Sequence, residues 1–285
     1  MSDGPDNAQW TSTIGPVSGW FDVHLTELWR YRDLITFFVY RDFVAVYKQT
    51  VLGPLWFLVQ PLFTTIVFTV VFGGVAKIPT DGLPPVLFYM SGILAWNYFS
   101  ACLNGTSNTF VTNAGIFGKV WFPRLAVPIS VVISNLMKFL IQFVLFAGFW
   151  VFYYIKGSVI SPRLMLAFLP FFILQMAALG LGFGIIVSSL TTKYRDITHL
   201  VGFGVQLWMY ATPIVYPASR IPAKWQWLIA VNPMAPVVEG FRYSFLGTGT
   251  VLPWHIGLSL ATTLLVLITG LVMFSRVEKS FMDTV

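Results

Sequence analysis

Six apolar runs restrict what this chain can fold into more than any other feature. They are about Leu55 to Ala76, Val86 to Leu103, Leu125 to Ile155, Leu164 to Leu190, Leu200 to Tyr216 and Trp254 to Phe274. A helix needs roughly 20 apolar residues to cross the hydrocarbon core of a bilayer. Lys138 is the only Lys, Arg, Asp or Glu inside any of the six. Charged residues are 10% of the chain, against about 25% in soluble domains. That scarcity excludes a soluble enzyme surface, and the 56% hydrophobic content excludes disorder. The predicted fold class is an all-α integral membrane protein with six transmembrane helices.

The third run is too long for one upright helix, so it must tilt or extend beyond the bilayer. The stretch 217–253 does not read as a span. Prolines 217, 222, 233, 236 and 253 interrupt it, and its apolar piece Trp225 to Val231 is too short to cross. A short re-entrant or interfacial hairpin between spans five and six fits better. The predicted organisation is an N-terminal tail (1–27), an amphipathic helix (28–50), a six-span domain (51–276) and a short C-terminal tail (277–285).

Even numbers of spans put both termini on one side. With six, that side carries Arg30, Arg32, Arg41, Lys48, Lys119, Arg124, Lys193, Arg195, Arg276 and Lys279. The other side carries Lys77, Lys156, Arg163, Arg220, Lys224 and Arg242. The basic excess predicts cytoplasmic termini. No pattern of a basic start followed by an apolar run suggests a secretory signal in the first twenty residues. The net charge of +6 lies between apolar runs, where it orients a membrane protein, and not on a patch suited to nucleic acid.

Residues Leu28 to Lys48 have helical amphipathic spacing. Arg30, Asp33, Arg41 and Lys48 share one face, Leu28, Tyr31, Ile35, Phe38 and Val46 keep mostly to the other, and Arg32 is a further basic residue of the same helix. Bulky aromatics mixed with basic residues describe a helix in the headgroup plane, though a helix packed on a partner has the same pattern. Gly53-Pro54 marks the bend into the membrane. Between spans two and three (coupling segment 105–124), the residues Ile116, Phe117, Lys119, Val120, Trp121 and Arg124 combine apolar knobs with charge outside the bilayer. Either they re-enter the interface or they dock a cytoplasmic protein. Lys193, Arg195 and Asp196 form a second cytoplasmic turn.

Catalytic chemistry is hard to place. Gly115 to Val120 has the wrong glycine spacing for a phosphate-binding loop and no Ser or Thr after Lys119. The histidines 24, 199 and 255 lack metal-ligand spacing, so no metal site is expected. Cys102 is the only cysteine, which excludes an internal disulfide. Gly180, Gly182 and Gly184 lie inside a span, where small residues permit close helix packing. Lys138, one turn from Gln142, is either a functional intramembrane charge or a snorkelling one. Glu239 and Arg242 are spaced to pair on one helix face.

Several motifs carry a resemblance. They are Leu28-Trp29-Arg30-Tyr31-Arg32-Asp33-Leu34, Tyr40-Arg41-Asp42, Tyr47-Lys48-Gln49-Thr50, Leu52-Gly53-Pro54-Leu55-Trp56 and Gln60-Pro61. Further on come Lys119-Val120-Trp121-Phe122-Pro123-Arg124 with Pro128, Lys193-Tyr194-Arg195-Asp196-Ile197, Asn232-Pro233-Met234 and Glu239-Gly240-Phe241-Arg242. Over about residues 28 to 280 the chain resembles the membrane permeases of ATP-binding-cassette (ABC) exporters of bacterial surface polysaccharide, the O-antigen, teichoic-acid and capsule type. The resemblance implies a homodimeric inner-membrane permease, not an enzyme. Two copies of a separate cytoplasmic ATPase would bind ATP and Mg, and this chain would hold no cofactor. The substrate would be a lipid-linked glycan drawn from the membrane lipids. The region Ile116 to Arg124 would be the coupling helix, and Glu239 and Arg242 would lie in a periplasmic gate region. Gly118 stands where relatives often carry another basic residue, which leaves less charge for a contact there. Trp56, Tyr89, Trp96, Tyr98, Lys138 and Trp208 are candidates for the substrate path, since aromatic rings suit the apolar faces of sugars. An exporter of a lipid or drug with the same architecture is an alternative, as are a membrane-embedded glycosyltransferase and a channel.

Overall fold

A computed structural model describes residues 25–48, 52–158, 160–194 and 196–281, and every regular element among them is helical. The helices are α1 (Leu25–Arg30), α2 (Arg32–Lys48), α3 (Trp56–Phe68), α4 (Pro85–Ser107), α5 (Thr109–Phe117), α6 (Ala126–Ile155), α7 (Leu169–Thr191), α8 (Ile197–Ala211), α9 (Gln226–Val231), α10 (Met234–Leu246) and α11 (Pro253–Phe281). A π-helical stretch, Thr69–Val75, prolongs α3, and a 3-10 turn, Leu164–Phe168, leads into α7.

Five segments are long and apolar enough to cross a membrane: Trp56–Val75, Pro85–Ser107, Ala126–Ile155, Leu164–Thr191 and Pro253–Glu278. The run expected as a sixth folds differently. Its helix, α8, has 15 residues and stops at Ala211, ahead of Pro213. At 1.5 Å per residue it reaches about 22 Å, short of a 30 Å core. Proline disfavours helix in the residue before it, which accounts for the extended Thr212. By contrast α6, with 30 residues, takes in all of the overlong third run but Leu125, about 45 Å of helix.

The bundle is built around α4, which packs against α7, α6, α3 and α10. Helices in lipid gain little from hydrophobic burial against one another, so close contact needs small residues. Gly180 and Gly184 of α7 supply it toward α4: a Cβ on Gly180 would lie 2.6 Å from Cys102 Cβ, and one on Gly184 would collide with Thr106. Gly182 turns the other way, where a Cβ would sit 3.1 Å from the backbone of Leu267 on α11. One helix thus presents a small-residue face to each of two neighbours, as the sequence predicts for these glycines.

Two groups of contacts define the ends of the bundle. At one end, Tyr31 and Phe38 of the N-terminal helices meet Trp121 and Phe122, with ring centroids 6.3 and 5.8 Å apart. Thr198 donates to Asn108 Oδ1 at 3.1 Å, and Arg124 Nη1 to the Glu278 carbonyl at 2.8 Å. At the other end, Ser219 donates to Asp81 at 2.8 Å, and the Arg163 N–H to the Ser244 carbonyl at 3.1 Å.

Candidate functional site

The first candidate surface is the α5 helix and the turn after it. Phe110 and Phe117 of α5 are fully buried, and Phe110 stacks on Phe274 of α11 at 4.6 Å. Phe117 also packs on Phe122, with centroids 5.7 Å apart, and lies under the Arg124 guanidinium at 5.5 Å. Of the residues expected to face a partner, Phe117 and Arg124 therefore face inward. Arg124 is 7% exposed, and its backbone N–H also points at Glu278 Oε1, 3.3 Å away. Burial holds its guanidinium below the usual arginine range, against the opposing pull of Glu278. Outward point Ile116 at 38%, Val120 at 59% and Trp121 at 52% exposure, with exposed Lys119 among them. The inward pair fixes the turn, and the outward group forms an apolar ledge with one cation. The hold on the bundle continues along α7, where Ser188 Oγ accepts from the Phe110 N–H at 3.4 Å and Thr191 donates to the Ser107 carbonyl at 3.2 Å.

Beside this ledge, Lys193 and Asp196 are exposed, and Lys193 lies 5.4 Å from the Tyr194 ring. Arg195 lies outside the described residues. On α1 and α2, Arg30, Arg32, Asp33 and Lys48 are exposed, as are Trp29, Phe37 and Tyr40. Arg41 differs: it is half-buried, pairs with Asp42 Oδ1 at 2.8 Å, and lies 4.8 Å over the Phe38 ring.

The path candidates divide by burial. Tyr89, Trp96 and Tyr98 are inside the core of this subunit, on α4, against Phe68, Trp208 and Phe139 respectively. In this conformation they line no open surface. Trp56 is exposed and Trp208 half-buried. Lys138 is half-buried and donates at 2.9 Å to Asn135 Oδ1, one turn back, not to Gln142. Asn135 in turn donates to the Ala101 carbonyl of α4 at 3.1 Å.

The second candidate site is the segment after α8. The helix α10 is buried along almost its whole length, and Glu239 and Arg242 within it are 3% and 1% exposed at their side chains. Arg242 Nη1 donates to Glu239 Oε1 at 2.7 Å and to the Pro213 carbonyl at 3.0 Å. The guanidinium lies 3.8 Å over the Phe88 ring, and Glu239 Oε2 accepts from the Thr250 N–H at 3.0 Å. Burial pushes the Glu239 carboxyl up and the Arg242 guanidinium down, and each partner opposes the other's shift. The pair is the local ion pair that the spacing predicts, and it also ties the end of α8 to α10 and α4.

Sequence reasoning missed a second knot beside it. Asn232 Oδ1 accepts from Trp208 Nε1 and from the Met234 N–H, both at 3.0 Å, and Asn232 Nδ2 donates to Thr212 at 2.9 Å. The Asn-Pro dipeptide was a legible turn signal. Its partners, Trp208 on α8 and Thr212 just past its end, 24 and 20 residues away, were not. Glu278 was missed for the same reason, 154 residues from Arg124. Among the described residues, no group of three His, Cys, Asp or Glu side chains could hold a metal ion.

Comparison with known proteins gives this arrangement a family. An O-antigen export system permease protein RfbA of Klebsiella pneumoniae is 28% identical over 251 residues, covering 88% of this chain and 94% of that protein. A protein of the same name from Myxococcus xanthus is 28% identical over 222 residues, 77% of this chain and 82% of its own length. The capsule polysaccharide export inner-membrane protein CtrC of Neisseria meningitidis serogroup B is 22% identical over 272 residues, 90% of this chain and 97% of its own. The ABC-2 type transporter family matches residues 33–246, which take in nearly all of α2 through to the end of α10. This multi-pass membrane chain belongs to the ABC-2 type transporter family.

Proposed function

We propose that this chain is the transmembrane subunit of an ATP-driven exporter that moves a lipid-linked polysaccharide, of the O-antigen kind, across the inner membrane. The substrate class rests on the relatives, which are named for O-antigen and capsule polysaccharide export. The observation that carries the coupling mechanism is the α5 ledge, where Ile116, Val120 and Trp121 stand outward beside Lys119 while Phe117 and Arg124 bind the turn to the bundle. An apolar ledge with a charged rim is what a cytoplasmic partner would grip. ATP and Mg would sit on two copies of that partner, a separate ABC ATPase, and two copies of this chain would enclose the path. Closure of the ATPases would push the ledge, and Phe110 stacked on Phe274 would pass the push to α11 and α7.

The topology we propose has six crossings and cytoplasmic termini. In it, α8 with residues 212–216 makes the fifth crossing. Support comes from Thr198 at the ledge end and from the tie of Ser219 to Asp81 at the opposite end. The segment 217–253 then dips back in, with Asn232 at the inner tip held by Trp208. On the ledge side, α1 and α2 would lie in the headgroup region with Trp29, Phe37 and Tyr40 toward lipid.

Purification of the full chain in mild detergent from its native membrane tests the reading. A cytoplasmic ABC ATPase should copurify in equal amount, and lipid-linked glycan should raise its turnover. A chain that purifies alone and extends a glycan from nucleotide sugars would be a glycosyltransferase instead.

A further inference from the structure

The two longest helices of the chain, α6 with 30 residues and α11 with 29, are fastened to each other at the ledge. A helix leaves its first four N–H groups and its last four carbonyls without intrahelical partners. The helix α11 ends at Phe281, so the Glu278 carbonyl is one of those orphans. Arg124 Nη1 donates to it at 2.8 Å. Arg124 itself stands where α6 begins, and its carbonyl accepts from the Val127 N–H at 3.2 Å. Its own N–H points at Glu278 Oε1, 3.3 Å away. Each helix therefore caps the other, with a cation at the C-terminus of α11 and a carboxylate at the N-terminus of α6. Both charges suit the helix dipole that they face. A cap made by a neighbour in sequence stabilises one helix alone. This reciprocal cap spans 154 residues and ties two helix ends into one body.

The face of α11 that carries Glu278 extends this hold. Gly270, Phe274 and Glu278 follow one another at intervals of four residues and so share a helix face. Glu278 meets the start of α6, and Phe274 stacks on Phe110 of α5 at 4.6 Å. Above them, a Cβ on Gly270 would lie 2.8 Å from the Gly182 carbonyl of α7. In sequence, the outward residues Ile116, Val120 and Trp121 lie between the two holds at Phe110 and Arg124. A displaced ledge therefore carries the end of α11 with it or breaks a hold. Arg124 is buried, with its guanidinium 5.5 Å over the Phe117 ring, so water does little to weaken the joint.

We propose that Arg124 and Glu278 form a joint, closed throughout the transport cycle, that makes α6 and α11 move together when the ledge is pushed. Glu278 is then a positioning residue for coupling, acting through Arg124. This rests on the export reading above, and the test separates the two. The full chain with its ATPase, in nanodiscs, is followed by hydrogen exchange without nucleotide and after trapping with ATP and vanadate. Export is read separately in vesicles, as glycan moved per ATP hydrolysed. In the wild type, protection of residues 105–124 and of the last turns of α11 should change together on trapping. Glu278→Ala keeps the carbonyl that Arg124 holds and loses only the carboxylate. It should leave the ATPase bound, confine the response to 105–124 and lower export per ATP about fivefold, the loss of about one charge-assisted hydrogen bond. Glu278→Gln, whose amide oxygen still accepts, should recover most of both. A merely structural glutamate would instead lower protection at both ends with or without nucleotide, and that result overturns the proposal. So would a wild-type response and yield in Glu278→Ala. Joining Arg124→Cys to Glu278→Cys with a short thiol-to-thiol reagent should leave export running, and a block would show that the joint has to open. A paired response on trapping, with no glycan exported by the wild type, would leave the joint standing and sink the export reading. Export by a wild type whose α11 end does not respond would do the reverse.

Discussion

Single residues in this bundle are constrained by what they meet inside it, and the Glu239–Arg242 pair is the sharpest case. Two ions removed from water cost several kcal/mol each unless every partner is in place. Here Arg242 has Glu239, two backbone carbonyls and the Phe88 ring, and Glu239 has the Thr250 N–H. Removing one partner strands the other charge, at about 3–5 kcal/mol. Glu239→Gln and Arg242→Met should each lower the unfolding temperature in detergent, and the double variant should lose less than the sum of the two. Strict additivity in that cycle would show that the pair is not coupled. Glycines give a second residue-scale contrast. Gly184→Ala must displace Thr106 and part helices α7 and α4, whereas Gly202 has nothing within 4 Å of a Cβ. Gly184→Ala should cost about 1–3 kcal/mol in denaturation, the usual cost of overpacking, and Gly202→Ala close to nothing.

At the scale of elements, apolar length was legible and orientation was not. Five of six predicted runs became long helices because hydrocarbon thickness alone sets their length. The boundary of α8 was misjudged because the run was counted through Pro213 to Tyr216, although proline ends the helix sooner. In the segment 105–124, apolar residues were readable, but which of them face inward depends on Phe274 and Glu278, more than 150 residues on. Spacing within nine residues of α5 cannot encode that. The path candidates failed to sort for the same reason, since Trp96 and Trp56 look alike in sequence and one is buried while the other is exposed. The split within the ledge predicts two classes of variant. Val120→Asp and Trp121→Ala should abolish stimulation of a bound ATPase and leave the unfolding temperature within a degree or two. Phe117→Ala should lower stability by about 3–5 kcal/mol, as for other buried aromatics. Stimulation lost only in proportion to stability, across all three variants, would remove the ledge as a contact.

For the whole molecule, sparse charge carried more information than abundant apolar surface. Two basic residues expected on opposite sides of the membrane lie at opposite ends of the bundle, Lys119 at the ledge and Arg220 next to the Ser219–Asp81 tie. Five crossings and six differ in a way that can be measured. If the stretch from Asp196 to Pro253 crosses, Lys119 and Lys193 lie on one side and Arg220 on the other. If it does not, Arg220 shares a side with Lys193. Cys102, the only native cysteine, is completely buried, so it should not react with a bulky, membrane-impermeant maleimide. Single cysteines can therefore be added to the natural chain without removing it. In intact cells with the outer membrane opened, Arg220→Cys should label at once, and Lys119→Cys and Lys193→Cys only after the inner membrane is broken. Labelling of Arg220→Cys only after that break would reduce the crossings to five. It would also set the two ends of α11 on sides that the bond from Arg124 to Glu278 forbids, because that bond holds the far end of the last helix at the ledge.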